Sequence, residues 1–179
     1  MSIVNLFDAV TEGTFEDFIN RFNGDINQVN EFTKLNLLHT AVLNDLNQRE
    51  KIRIIDFMIA NGVNINFVDK KYKRNALHTL YFNVMRGEQD YLIAITKKLI
   101  ENGIDINAVD KFGAIPLKYA ITILKGTTEE LKNLYVYLAR QGSDYNRKDS
   151  FGKTCLDYAE EYSWRNGFVN IIKELSNDR

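Results

Sequence analysis

Two histidines, one cysteine and a recurring aspartate are the residues of this chain that could do chemistry. His39 and His78 are its only histidines and Cys155 its only cysteine. A metal site or an acid–base pair would need both imidazoles to converge with a carboxylate or the thiol. A cysteine nucleophile would need a base to hold it as thiolate, and nothing near Cys155 in sequence supplies one. Asp69, Asp110 and Asp149 invite a reading as paired catalytic carboxylates, but they lie 41 and 39 residues apart. An Asp before a turn hydrogen-bonds its own backbone, and that structural role is the one we expect of all three. The chain has neither a Gly-x-Gly-x-x-Gly nor a Gly-x-x-x-x-Gly-Lys phosphate loop.

That spacing belongs to the whole chain. Gly24-Asp25-Ile26-Asn27, Gly62-Val63-Asn64-Ile65-Asn66, Gly103-Ile104-Asp105-Ile106-Asn107 and Gly142-Ser143-Asp144-Tyr145-Asn146 are near-copies whose glycines are 38, 41 and 39 residues apart. Between them, Asn36-Leu37-Leu38-His39-Thr40-Ala41, Asn75-Ala76-Leu77-His78-Thr79-Leu80, Ile115-Pro116-Leu117-Lys118-Tyr119-Ala120 and Thr154-Cys155-Leu156-Asp157-Tyr158-Ala159 align on their leucines. Asp110-Lys111-Phe112-Gly113 and Asp149-Ser150-Phe151-Gly152 precede the last two. Self-similarity at this period is the mark of a stacked array.

With its Asp-x-x-Gly turns, Leu-His-x-Ala helix starts and Gly-x-Asp-x-Asn tails, the chain resembles the ankyrin-repeat family over its whole length. The resemblance implies an all-α solenoid of helical hairpins, about five repeats counting degenerate terminal caps. We divide it as a cap at 1–30, internal repeats at 31–69, 70–109 and 110–148, and a C-terminal repeat at 149–179. It also implies that His39 and His78 bond within and between neighbouring turns and stand parallel, and that Cys155 occupies a position usually held by proline.

Apolar residues three and four apart predict the helices. In the second unit they run from Leu38 to about Leu46 and from Glu50 to about Ala60, the latter with Ile52, Ile55, Phe57 and Ile59, and Asn61-Gly62 stops the pair. Later second helices are expected at Tyr91 to Glu101 and about Glu129 to Arg140, and the last hairpin runs from Leu156 through Ile172. In the first unit, Leu6 to Val10 and then Phe15, Phe18, Ile19 and Phe22 form a hairpin with no preceding turn, as a cap would. The polar tail Ser176-Asn177-Asp178-Arg179 suits the other end.

From the helix-start position to the tail glycine, the family has about 18 residues, whereas His39 to Gly62, His78 to Gly103 and Lys118 to Gly142 span 23, 25 and 24. Each internal repeat is thus lengthened between its helices. The extra stretches, Asn44 to Glu50, Val84 to Asp90 and Leu124 to Glu129, are polar and read as solvated turns or helix extensions.

The chain has 179 residues, 45% hydrophobic and 26% charged, enough for a continuous core. No uncharged apolar run reaches the length of a membrane span, and Met1-Ser2-Ile3-Val4-Asn5-Leu6 lacks the plan of a signal peptide. A single cysteine fits a reducing compartment, so a cytoplasmic location is expected, with no cofactor. A net charge of −1 argues against a general nucleic-acid binder. The charge is uneven, however: residues 1–30 are acidic, whereas Lys70, Lys71, Lys73 and Arg74 share one turn.

Resemblance to the family implies that another protein is held by the turn tips, or fingers, and the exposed side of the first helices. Carried onto this sequence, the finger positions include Phe32, Thr33, Leu35, Lys71, Tyr72, Arg74, Lys111, Phe112, Ala114, Ser150, Phe151 and Lys153. Those on the first helices are Leu43, Asn44, Phe82, Asn83, Thr122, Ile123, Glu161 and Tyr162. Tyr72, Phe112 and Phe151 occupy equivalent places and form a candidate aromatic ladder, as contacts for a partner or as packing between fingers. A non-catalytic binding module is the function expected, either an adaptor or an inhibitor, the sharpest version being a cytosolic antidote, an immunity protein that covers a toxin's active site. The alternative is an enzyme or small-ligand protein with a pocket the sequence does not display.

Overall fold

Side-chain caps begin five of the described helices, among them four of the five short helices of one layer. In the computed structural model, which describes residues 3–82 and 89–177, Asn5 and Asp8 form a reciprocal capping box on α1 (Leu6–Glu12), and Thr14 and Asp17 another on α2 (Phe15–Arg21). Asn36 caps α3 (Leu37–Ala41) and Asn75 caps α5 (Ala76–Tyr81) by accepting the His39 and His78 N–H groups. Pro116 instead opens α7 (Pro116–Thr122), where its missing N–H costs nothing. Thr154 and Asp157 box the start of α9 (Cys155–Glu161). The longer helices are α4 (Gln48–Ala60), α6 (Gln89–Glu101), α8 (Lys132–Arg140) and α10 (Asn166–Asn177), with a short 3-10 turn, Ser163–Arg165, before the last.

The described residues are all-helical, without a named strand. Helix α1 packs on α2, α3 on α4, α5 on α6 and α9 on α10, and α1, α3, α5, α7 and α9 pack in sequence as one layer. In the second layer α2 packs on α4, α6 on α8 and α8 on α10. The core lies between: Leu38, Leu77 and Leu117 from the short helices meet Ile54, Ile55, Met58, Ile95, Leu99, Leu134 and Leu138 from the long ones, all buried. Ile52, Phe57 and Ile59 are half-buried at its margin. Phe15, Phe18 and Phe22 pack around Phe57, with ring centroids 5.4–6.0 Å from it, and close the N-terminal end. No helix among the described residues is long and apolar enough to cross a membrane.

The tail asparagines clip successive units together. Asn27 donates its amide to the Gly62 carbonyl (3.3 Å) and accepts the Asn64 N–H (2.6 Å). Asn66 does the same with Gly103 and Asp105 (2.9 and 2.7 Å), and Asn107 with Gly142 and Asp144 (2.9 and 2.8 Å). Each side-chain amide thus fills one donor and one acceptor of the next loop, which explains the Asn that closes these tails.

Three expectations need correction. The first helix of the second unit ends at Ala41 and does not reach Leu46, because the Asn44 side chain accepts the Leu46 N–H and Asn47 turns left-handed (φ 50°). Second, the extra stretches between helices are not simply solvated. Lys51, only 1% exposed, donates to Thr11 O (2.8 Å) and to Asn44 Oδ1 (2.5 Å), fixing the 44–50 stretch against the end of α1. Arg165, fully buried, donates to the carbonyls of Ile121 (2.8 Å), Leu124 (2.5 Å) and Gly126 (2.6 Å). It thereby satisfies groups that the end of α7 leaves open. Third, helix α8 starts at Lys132 rather than Glu129, after a turn in which Thr127 and Glu130 bond each other reciprocally. Of the middle stretch, residues 84–88 lie outside the described residues, as do Asn83, Met1, Ser2, Asp178 and Arg179.

Candidate protein-binding site

Four turns precede the odd-numbered helices from α3 onward, and a side-chain oxygen shapes each. Asn30 Oδ1 accepts the N–H groups of Phe32 and Thr33 (2.8 and 2.9 Å). Asp69 accepts those of Lys71, Tyr72 and Arg74 (2.7–2.9 Å). Asp110 takes those of Phe112 and Ala114, and Asp149 those of Phe151 and Lys153. The aspartates are thus consumed by their own loops.

The turns are not copies of one another. The first two are one residue longer, and their left-handed positions hold Lys34 (φ 61°) and Lys73 (φ 60°) where the later two hold Gly113 and Gly152. A side chain in that region is uncommon, so the longer turns carry a lysine on backbone that usually selects glycine. The second, third and fourth turns are also tied by backbone: Lys111 N–H donates to Tyr72 O and Ser150 N–H to Phe112 O, both at 2.8 Å.

The histidines span from helix to turn. Nε2 of His39 faces the Arg74 carbonyl at 3.0 Å and Nε2 of His78 the Ala114 carbonyl at 2.9 Å, so each ring donates to the following turn. Burial lowers both pKa values, that of His78 to about 4, which leaves the rings neutral at pH 7. In the fourth and fifth units a tyrosine supplies a different brace. Tyr119 OH donates to Asp110 (2.5 Å) and Tyr158 OH to Asp149 (2.7 Å). Burial and the neighbouring carboxylate push the Tyr119 phenol up to about 12. The signal for these tyrosines was present in the sequence, as a Tyr nine residues after the turn Asp in the two units without histidine.

Among the expected contact residues, one group comes together. Leu35, Lys71, Tyr72, Arg74 and Phe82, with Thr33, Leu43 and Thr79, line an open groove of about 390 Å³ between the turns and the short helices. The Arg74 guanidinium lies 4.1 Å from the Phe82 ring centroid, 4.8 Å from Tyr119 and 4.9 Å from Tyr72. It donates to Tyr119 OH (3.1 Å) and stands 3.6 Å from Asp110. Tyr72 and Phe112 stack at 6.4 Å, and Lys111 Nζ lies 4.4 Å from the Tyr72 centroid. Phe82 is 45% exposed, an apolar ring left facing the groove.

The other expected residues stand apart. Phe32 is 93% and Phe151 67% exposed, and neither stacks on a neighbouring finger, so the aromatic ladder has two rungs rather than three. Lys153 pairs with Glu161 and lies over Tyr158. Ile123 packs against the core. Tyr162 sits 4.9 Å from Trp164, an exposed ring that sequence reasoning passed over. Cys155 is buried, and desolvation lifts its thiol to about 12, far from the thiolate a nucleophile requires.

Comparison of the chain with protein-family models and with curated proteins finds no match.

Proposed function

We propose that this chain is an ankyrin-repeat protein of about five repeats that acts without catalysis, binding another protein in the groove between its first and second fingers and the short helices behind them, with the third finger packed against the second. The observation that carries the reading is the cluster of Tyr72, Phe112, Phe82 and Arg74, contributed by neighbouring units and held by backbone, ring and ion contacts rather than left free. Aromatics and arginine concentrate binding free energy at interfaces, and a preformed surface lowers the ordering cost of association. The repeating Asn clips, Asp turns and His braces support the repeat assignment, since each joins one unit to the next or shapes the same turn. Within this reading an inhibitor or antidote that covers its target and an adaptor that bridges two proteins use the same groove.

The test is affinity capture from the host's lysate with the wild type and the Y72A/F112A/F151A variant. A stoichiometric partner retained by the first and lost from the folded second is the expected result. A partner that persists with the variant would place binding elsewhere, and inhibition of that partner's activity by the wild type would separate inhibitor from adaptor.

A further inference from the structure

The charge around the paired rings is one-sided. Lys71 Nζ, Lys111 Nζ and the Arg74 guanidinium lie 4.8, 4.4 and 4.9 Å from the Tyr72 centroid. Lys70 and Lys73 stand on the same turn. The nearby carboxylates are already committed. Asp69 takes three backbone N–H groups, and Asp110 takes two, with the Tyr119 hydroxyl besides. Neither Lys71 nor Lys111 reaches a carboxylate among the described residues, whereas Lys98 and Lys153 pair with Asp56 and Glu161. A hydrogen bond from Lys71 first of all, then the charges of Lys71, Lys111 and Arg74, hold the Tyr72 phenol below its ordinary value.

Resting on the groove reading above, we infer that the occupant is a short acidic segment of the partner protein, in which carboxylates flank one apolar residue. The apolar residue enters the groove over Phe82, Leu35 and Leu43, and the carboxylates meet Lys71, Lys111 and Arg74 at its rim. Arg74 suits this role because Phe82, Tyr119 and Asp110 already fix its plane, so little side-chain entropy is lost on pairing. The cations nearest the rings stand on two neighbouring turns, with Lys34 on the turn before and Lys118 over Tyr119 and Tyr158 beyond. Residues 1–30 on one side are acidic, and Lys153 on the other is paired. A nucleic-acid backbone would need a longer basic track to release enough counterions, so a peptide of a few residues fits this patch and a polyanion does not.

The experiment pans a phage library of random twelve-residue peptides on the full chain, then measures the best synthetic peptides by fluorescence anisotropy at about 0.15 M salt, where long-range attraction is screened. The expected result is enrichment of Asp and Glu around an apolar residue. Affinity should fall by about tenfold or more on K71E/K111E, and by a comparable factor when the peptide's acids become Asn and Gln. K71Q/K111Q serves as the milder variant, and melting curves check that each stays folded. Neutral or basic peptides that bind wild type but not Y72A/F112A would keep the groove and overturn the acidic occupant. Selected peptides indifferent to every variant would overturn both. A single-stranded oligonucleotide that displaces the peptide at equal concentration would reassign the patch to nucleic acid.

Discussion

Lys51 and Arg165 at one end of the helices and Lys71, Arg74 and Lys111 at the other use the same side-chain types in opposite ways. The first two are buried, and their donors end on backbone carbonyls and, for Lys51, on the Asn44 side chain as well, around the loops between helices. At the other end two lysines are exposed and lie over aromatic rings, and Arg74 is braced on a tyrosine and an aspartate. A buried cation whose donors are matched by carbonyls is part of the fold, because removing it strands acceptors that water cannot reach. An exposed cation over a ring strands nothing when it goes. Substitutions at the two ends should therefore separate stability from binding.

The largest effect is expected at Arg165. Replacing it by Met keeps an apolar stem but leaves three carbonyls without their donor, and a loss of about 4 kcal/mol follows from typical costs of unpaired buried groups. Chemical denaturation of R165M measures it. A loss no greater than that of a surface change would mean that water reaches those carbonyls and would erase the distinction between the two ends.

His78 tests whether a neutral donor can do the same work. Its pKa is about 4 in the folded chain, through desolvation first of all, against the 6.5 of an ordinary histidine. The unfolded chain therefore binds the extra proton between those values, and stability present above pH 6.5 is lost as pH falls toward 4. The loss is on the order of 3 kcal/mol. Replacing His78 by Gln should flatten that acid limb, and an unchanged limb would show that other groups set it.

Lys51 carries a smaller cost, with a pH dependence of the same sign at higher pH. K51M should lose about 2 kcal/mol at pH 7, for the donors taken from Thr11 and Asn44. Burial lowers the ammonium to about 8 in the folded chain, against 10.5 unfolded. Between those values the unfolded chain holds more protons, so the wild type gains stability as pH rises from 8 to 10.5, and the gap to K51M widens. A gap that narrows over that range would contradict the buried-donor account.

The contrast between the two ends also marks what the sequence could convey. Helix ends near Gly62, Gly103 and Gly142 were legible because a left-handed glycine and a repeated tail are local signals. The aspartates' role was legible for the same reason, as an Asp turn closes within a few residues. The burial of Lys51 and Arg165 was not, because their partners lie from 7 to 44 residues away and, apart from the Asn44 side chain, are backbone carbonyls that carry no residue identity. Polar composition in the 44–50 and 124–129 stretches therefore read as solvation. At the candidate groove, the Leu35, Lys71, Tyr72, Arg74 and Phe82 set was proposed from the family resemblance, and these residues line one groove. Lys153 and Tyr162 occupy matching positions yet meet different surroundings, since Glu161 and Trp164 are particular to the last unit, and Ile123 packs against the core.

The finger cations complete the series with the smallest effect on the fold. K71E/K111E introduces two carboxylates beside half-exposed rings, where no buried acceptor depends on either ammonium. Surface changes of this kind shift a domain of this length by about 2 °C or less in melting temperature. The backbone bond from Lys111 N–H to Tyr72 O survives both substitutions, so the stacking of the two fingers has no reason to open. A melting curve that falls by much more would mean that these lysines hold the rings in place, and their exposure would then be a by-product of packing. An unchanged curve, beside the loss expected for R165M, leaves the finger charge free to be set by what it meets.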